Sequence, residues 1–121
     1  MYYHVPSGYD FTHTANTVIS TSSIQVTFAA NARCSQMITV SGDIDLDIVC
    51  NNDSDNYIWI KNNASADIDV TISAITYNEA ALAAANIHIA GGSMTVGAGD
   101  IIEISVLCNA DGAFITSRND L

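Results

Sequence analysis

Asn51, Asp53 and Asp55 alternate at the spacing of the first three ligands of an EF-hand loop, so calcium is the first chemistry to weigh. The loop fails at two later positions. Asn56 stands where the sharp turn needs Gly, and Asn62 stands where a bidentate Glu is needed. What remains is either a looser cation site on Asp53 and Asp55 or an exposed acidic turn. Asp43, Asp45 and Asp47 form a second carboxylate series. Side chains two apart on one strand face lie about 7 Å apart, too far for three of them to chelate one ion unaided. A solvated face, or an edge charged against unwanted pairing, fits better. His4, His13 and His88 have no zinc spacing. No metal or cofactor is expected.

Nucleophiles are present without their partners. Ser93 follows Gly91-Gly92 but lacks the Gly two residues later that a nucleophile elbow requires. Gly97 and Gly99 mark a turn, since neither a third Gly nor a phosphate-binding Lys follows. Cys34, Cys50 and Cys108 form an odd set with no C-x-x-C spacing. Cys50 and Cys108 fall on the apolar phase of their segments. They read as inert thiols of a reducing cytosol, with a Cys50–Cys108 bridge as the alternative. Two glycosylation sequons, beginning at Asn52 and Asn63, matter only in a eukaryotic secretory setting. No catalytic constellation emerges, and the chain is not expected to be an enzyme.

The elements that carry these residues have a period of two. Over residues 38–50, Ile38, Val40, Ile44, Leu46, Ile48 and Cys50 share one phase, with Thr39, Ser41, Asp43, Asp45 and Asp47 on the other. This predicts one long half-buried strand, with Gly42 keeping the register. Ile24, Val26 and Phe28 repeat the pattern, as do Ile102, Ile104, Val106 and Cys108. Ile68, Val70 and Ile72 do so too, until the phase slips to Ile75 and Tyr77, which predicts a bulge near Ala74. Residues 57–60 are apolar on both faces, as a central or interface strand would be. Asp111-Gly112 predicts a hairpin, and residues 61–65 read as a turn between two strands. Only residues 78–85 have helix propensity, enough for a short helical turn. The expected fold is all-β: an antiparallel β-sandwich of jelly-roll type with seven to nine strands.

Length and charge set the outer bounds. A chain of 121 residues is one domain. Three basic residues (Arg33, Lys61 and Arg118) stand against thirteen acidic ones, for a formal net charge of -10. Nucleic acid is excluded as a partner, because neutralising phosphates needs clustered Lys and Arg. A hydrophobic fraction of 49% excludes general disorder. No apolar stretch reaches the roughly 18–20 residues that span a bilayer, and the first residues show no secretory signal, so no membrane partner is expected.

Residues 1–16 differ in character. Tyr2, Tyr3, Tyr9 and Phe11 crowd around the one proline without steady alternation, and they predict an N-terminal arm docked on a neighbour, ahead of a single domain at 17–121. The rest is short of edge protection. Ser, Thr and Asn make up 33 of the 121 residues, whereas Lys occurs once. Edges that Lys does not guard are expected to be covered by further copies, which would bury Tyr57 and Trp59 at a subunit interface.

Residues 56–121 carry a series of strand and turn sequences. They begin with Tyr57-Ile58-Trp59-Ile60-Lys61-Asn62 and Asp69-Val70-Thr71-Ile72-Ser73. They continue with the run from Val96-Gly97-Ala98-Gly99-Asp100 to Val106 and close with Asp111-Gly112-Ala113-Phe114 and the residues to Arg118. This segment resembles small jelly-roll virion proteins of tailed bacteriophages, both capsid decoration or cement proteins and fibre domains. The resemblance implies a structural virion protein, made in the host cytoplasm, that binds the major capsid protein of the phage head as a homotrimer. Tyr2, Tyr3, Tyr9 and Phe11 would then anchor the arm, and Tyr57 and Trp59 would line the trimer contact. The alternative is a receptor- or glycan-binding fibre domain that uses the loop at 51–57.

Overall fold

The computed structural model describes residues 10–30, 32–90 and 94–119. Eleven strands occupy them, in two sheets. The first six are β1 (Asp10–Ile19), β2 (Ser23–Phe28), β3 (Ala32–Val40), β4 (Ile44–Cys50), β5 (Asp55–Asn62) and β6 (Ile68–Tyr77). They alternate strictly between the sheets: β1, β3 and β5 lie side by side in sheet A, and β2, β4 and β6 in sheet B. Every neighbouring pair among these six is parallel.

A chain that returns to the same sheet in the same direction after each circuit is winding, not folding back. The partners are 22 residues apart through most of the first turns: Ser23 faces Asp45, Thr12 faces Cys34, and Ser35 faces Tyr57, with the β1–β3 offset dropping to 21 from Thr17 on. Between β4 and β6 the offset widens, Ile44 facing Val70. The fold is therefore a β-solenoid of about four turns. This corrects the expected jelly-roll sandwich. An antiparallel sandwich and a parallel solenoid bury the same alternate residues, and only the direction of pairing separates them.

The fourth turn runs backwards. After β6 a two-residue reversal leads into β7 (Ala80–Ala81), which pairs antiparallel with the end of β6. Asn78 and Glu79 make this reversal with φ of 47° and 71°, the left-handed backbone that tight hairpins require. The helical turn expected at 78–85 is thus a hairpin, followed by a single 3-10 turn, Ala84–Asn86. β8 (Ile87–Ile89), β9 (Met94–Val96), β10 (Ile101–Asn109) and β11 (Gly112–Arg118) complete the chain. β9 lies antiparallel to β6 and β10 antiparallel to β5, so this pair closes both sheets against the parallel turns. β10 and β11 form the hairpin that Asp111-Gly112 predicts.

The core is the space between the sheets. Val26, Phe28, Ile38, Ile44, Leu46, Ile48, Ile58, Ile60, Ile75, Ile102, Ile104 and Ile115 are all essentially sealed from solvent. Ser73 is the bulge residue. The register slips across it, and its hydroxyl donates to the Leu46 carbonyl at 3.0 Å. Short corners join the sheets, and main-chain bonds stack one corner on the next: Asp45 N–H to Ser22 O, Asn51 N–H to Phe28 O, and Asn63 N–H to Val40 O, at 2.8, 3.0 and 2.8 Å.

Buried asparagines, one at one end and a pair at the other, seal the corners from within. Asn62, fully buried, donates to the carbonyls of Ala66 (2.8 Å) and Val96 (3.0 Å) and accepts from the Ala64 N–H (2.8 Å), tying the third turn to the cap. Asn52 and Asn56 exchange amide bonds at 3.0 and 3.1 Å at the opposite end of the strands. At the last hairpin the backbone itself is the contact: a Cβ on Gly112 would run into the Asn86 carbonyl. Gly112→Ala is expected to push β11 away from the 3-10 turn and to destabilise by about 2 kcal/mol in urea denaturation.

Candidate functional site

Outward-facing residues of the two sheets differ sharply. On sheet A a row crosses four strands: Met37 on β3 faces Trp59 on β5, which faces Glu103 on β10, which faces Arg118 on β11. The Trp59 indole N–H donates to Glu103 Oε2 at 2.9 Å, and Arg118 approaches Glu103 Oε1 at 3.9 Å. Tyr57 lies two residues back on the same face, its ring nearly parallel to that of Trp59 (10°) with centroids 6.5 Å apart. Alongside, Leu107 faces Phe114, which is 52% exposed and stacks on His88 at 5.2 Å. All three basic residues of the chain, Arg33, Lys61 and Arg118, belong to this face, because each falls on the outward phase of its strand.

The outward face of sheet B is acidic and hydroxylated. Asp45 and Asp47 on β4 and Asp69 on β6 share it with Ser23, Gln25, Thr27 and Thr71. Its polar groups are tied to one another: Gln25 Nε2 donates to Asp47 (3.4 Å) and the Thr95 hydroxyl to Asp69 (2.8 Å). Asp43 lies in the corner before β4 and accepts the Asp69 N–H at 2.8 Å.

The expected site residues fall as follows. Tyr57 and Trp59 are half-buried on the outer face of sheet A, at its centre. Tyr2, Tyr3 and Tyr9 lie outside the described residues. The Phe11 backbone belongs to β1, paired with Arg33. Asp53 and Asp55 part company: Asp53 accepts the Tyr77 hydroxyl, which holds that phenol above its usual range, while Asp55 opens β5. Among the described residues no three His, Cys, Asp or Glu side chains are placed to hold a metal ion. The three thiols are buried and free.

Sequence reasoning missed Met37, Glu103 and Arg118, which join Trp59 from three other strands. The 22-residue spacing of Met37 and Trp59 was the available signal. Two open depressions sit at the corners. One, of about 240 Å³, is lined by Ile19, Ser20, Thr21, Ser22, Ser41, Gly42 and Asp43. The other, of about 460 Å³, is lined by Ala30, Val49, Asn51, Asn78 and Glu79. No helix among the described residues is long and apolar enough to cross a membrane. No family model matches the chain, and neither the curated proteins nor the solved structures contain a significant match.

Proposed function

We propose that this β-solenoid is a non-enzymatic structural protein of a virion, a capsid decoration or cement protein that binds the phage head as a homotrimer. The observation that carries the reading is the segregation of its two outer faces. One gathers Met37, Tyr57, Trp59, Phe114 and every basic residue, and the other gathers Asp45, Asp47 and Asp69. Surfaces that differ in this way favour head-to-tail contact, the aromatic face of one copy on the acidic face of the next, and a rotation that closes gives a ring. Tyr2, Tyr3, Tyr9 and Phe11 are left for the major capsid protein, where many weak repeated contacts add up. The jelly-roll premise of the phage resemblance is gone, so that resemblance supports the reading only through its strand and turn sequences.

Light scattering at micromolar concentration tests the assembly. A trimer is expected, and Trp59→Ala should weaken it by 30-fold or more. A monomeric native protein overturns the trimer. The second reading, a glycan-binding fibre domain, draws on the Glu103 carboxylate fixed beside the stacked Tyr57 and Trp59 rings. Sugar binding that vanishes in Trp59→Ala, with no affinity for capsids, selects it instead.

A further inference from the structure

The solenoid core ends in sulfur at one corner. Cys50 is the last residue of β4 in sheet B, Cys108 is near the end of β10 in sheet A, and both are wholly buried. Asn56 brings them into register. Its backbone faces Val106, which shares the inward phase of β10 with Cys108 two residues on, and its side-chain amide reaches Cys50 Sγ at 3.7 Å. Across the corner Cys50 and Cys108 act on each other's ionisation, and the Cys50 thiol donates to the Asn52 carbonyl at 3.3 Å. Cys34, also buried, is turned to its own strand, its thiol donating to the Ala32 carbonyl at 3.5 Å.

We propose that Cys50 and Cys108 are an intramolecular disulfide site that staples the reversed fourth turn to the second turn, closed by a low-molecular-weight disulfide such as oxidised glutathione. This stands apart from the assembly reading and uses none of the same residues. The Cys50 thiolate attacks one sulfur of the small disulfide, whose S–S bond breaks and releases one thiol. Cys108 then loses its proton to solvent and attacks Cys50 Sγ in the mixed disulfide, releasing the second thiol. Two electrons pass from the protein thiols to the reagent, which leaves as two reduced molecules. The order of attack follows from the corner's electrostatics. Interaction with Cys108, with the Asn52 contact behind it, holds Cys50 below the usual thiol range, whereas interaction with Cys50 and burial push Cys108 far up.

Because both sulfurs are sealed, the reagent enters only when the corner at 51–54 opens. The pair therefore stays reduced in a reducing cytosol and closes slowly in an oxidising medium. The bridge links positions far apart in the chain, so it removes much freedom from the unfolded state.

The test is prolonged incubation of the full chain with oxidised glutathione under native conditions, followed by peptide mapping. The expected product is one cross-linked peptide joining Cys50 to Cys108 within one molecule, with Cys34 still open to alkylation after denaturation. The melting temperature should rise by roughly 10 °C over the reduced protein. Cys34→Ser should keep both effects, and Cys108→Ser should lose both. A bridge to Cys34, a bridge between chains, or two free thiols after incubation overturns the assignment. The map of the unmodified chain decides this even if a cysteine variant fails to fold.

Discussion

Asn56→Leu is expected to destabilise the protein by about 3–4 kcal/mol and to lower its melting temperature by roughly 10–15 °C. The side chain is completely buried, and its bonds are what allow it to be. Its carbonyl oxygen accepts from the Cys34 N–H at 3.0 Å and from the Asn52 amide at 3.1 Å. Its own amide donates to Asn52 Oδ1 at 3.0 Å and to the Ser54 carbonyl at 3.1 Å. Leucine keeps the volume and removes every one of these bonds. The buried Cys34 N–H then has lost its acceptor, and Asn52 holds only its bonds to Ala29 O, Ala32 O and Ser54 N–H. Each polar group stranded away from water costs about 1–3 kcal/mol, far more than a surface hydrogen bond returns. Urea denaturation with an unchanged slope is the measurement, and a loss under 1 kcal/mol would show that water satisfies the corner instead.

Leu46→Ala should cost about 3–4 kcal/mol for a different reason. Leu46 sits on β4, the strand held on both sides by β2 and β6, and no part of it is exposed. Its neighbours are the inward side chains of two sheets already pinned by corner bonds, so they cannot collapse into the space it leaves. The contrast is Val18→Ala. Val18 is 72% exposed on the outer face of β1, and its truncation should change stability by under about 0.5 kcal/mol. A cost for Leu46→Ala no larger than that of Val18→Ala would mean that the space between the sheets is loosely filled.

Much of this was legible in the chain. Alternation placed Val26, Phe28, Ile38, Ile44, Leu46, Ile48 and Ile104 inward, and all are buried. The phase slip before Ile75 located the bulge at Ser73 to within one residue. The misreading began at residues 41–43. A corner of three residues separates Val40 from Ile44, so the inward phase passes through it unbroken, and two strands in different sheets read as one. Pairing direction is a property of two strands, and no rhythm within either strand records it. The trace it leaves is the recurrence of matched positions one circuit later: Ile24 with Leu46, Val26 with Ile48, Ile38 with Ile60. The outer row was hidden for the same reason. Trp59 and Glu103 are 44 residues apart and meet only because β10 lies against β5.

The backward course of β9 and β10 makes the particle's two ends unlike. Duplicating one 22-residue unit among the early windings would add a rung and lengthen the body by about 4.8 Å. Beyond β10 the sheet goes on differently, with β11 antiparallel to it and β8 parallel to β11, so the parallel 22-residue pairing of the early windings is not repeated. The molecule's height is thus set by the number of parallel windings, and the reversal is where that winding stops.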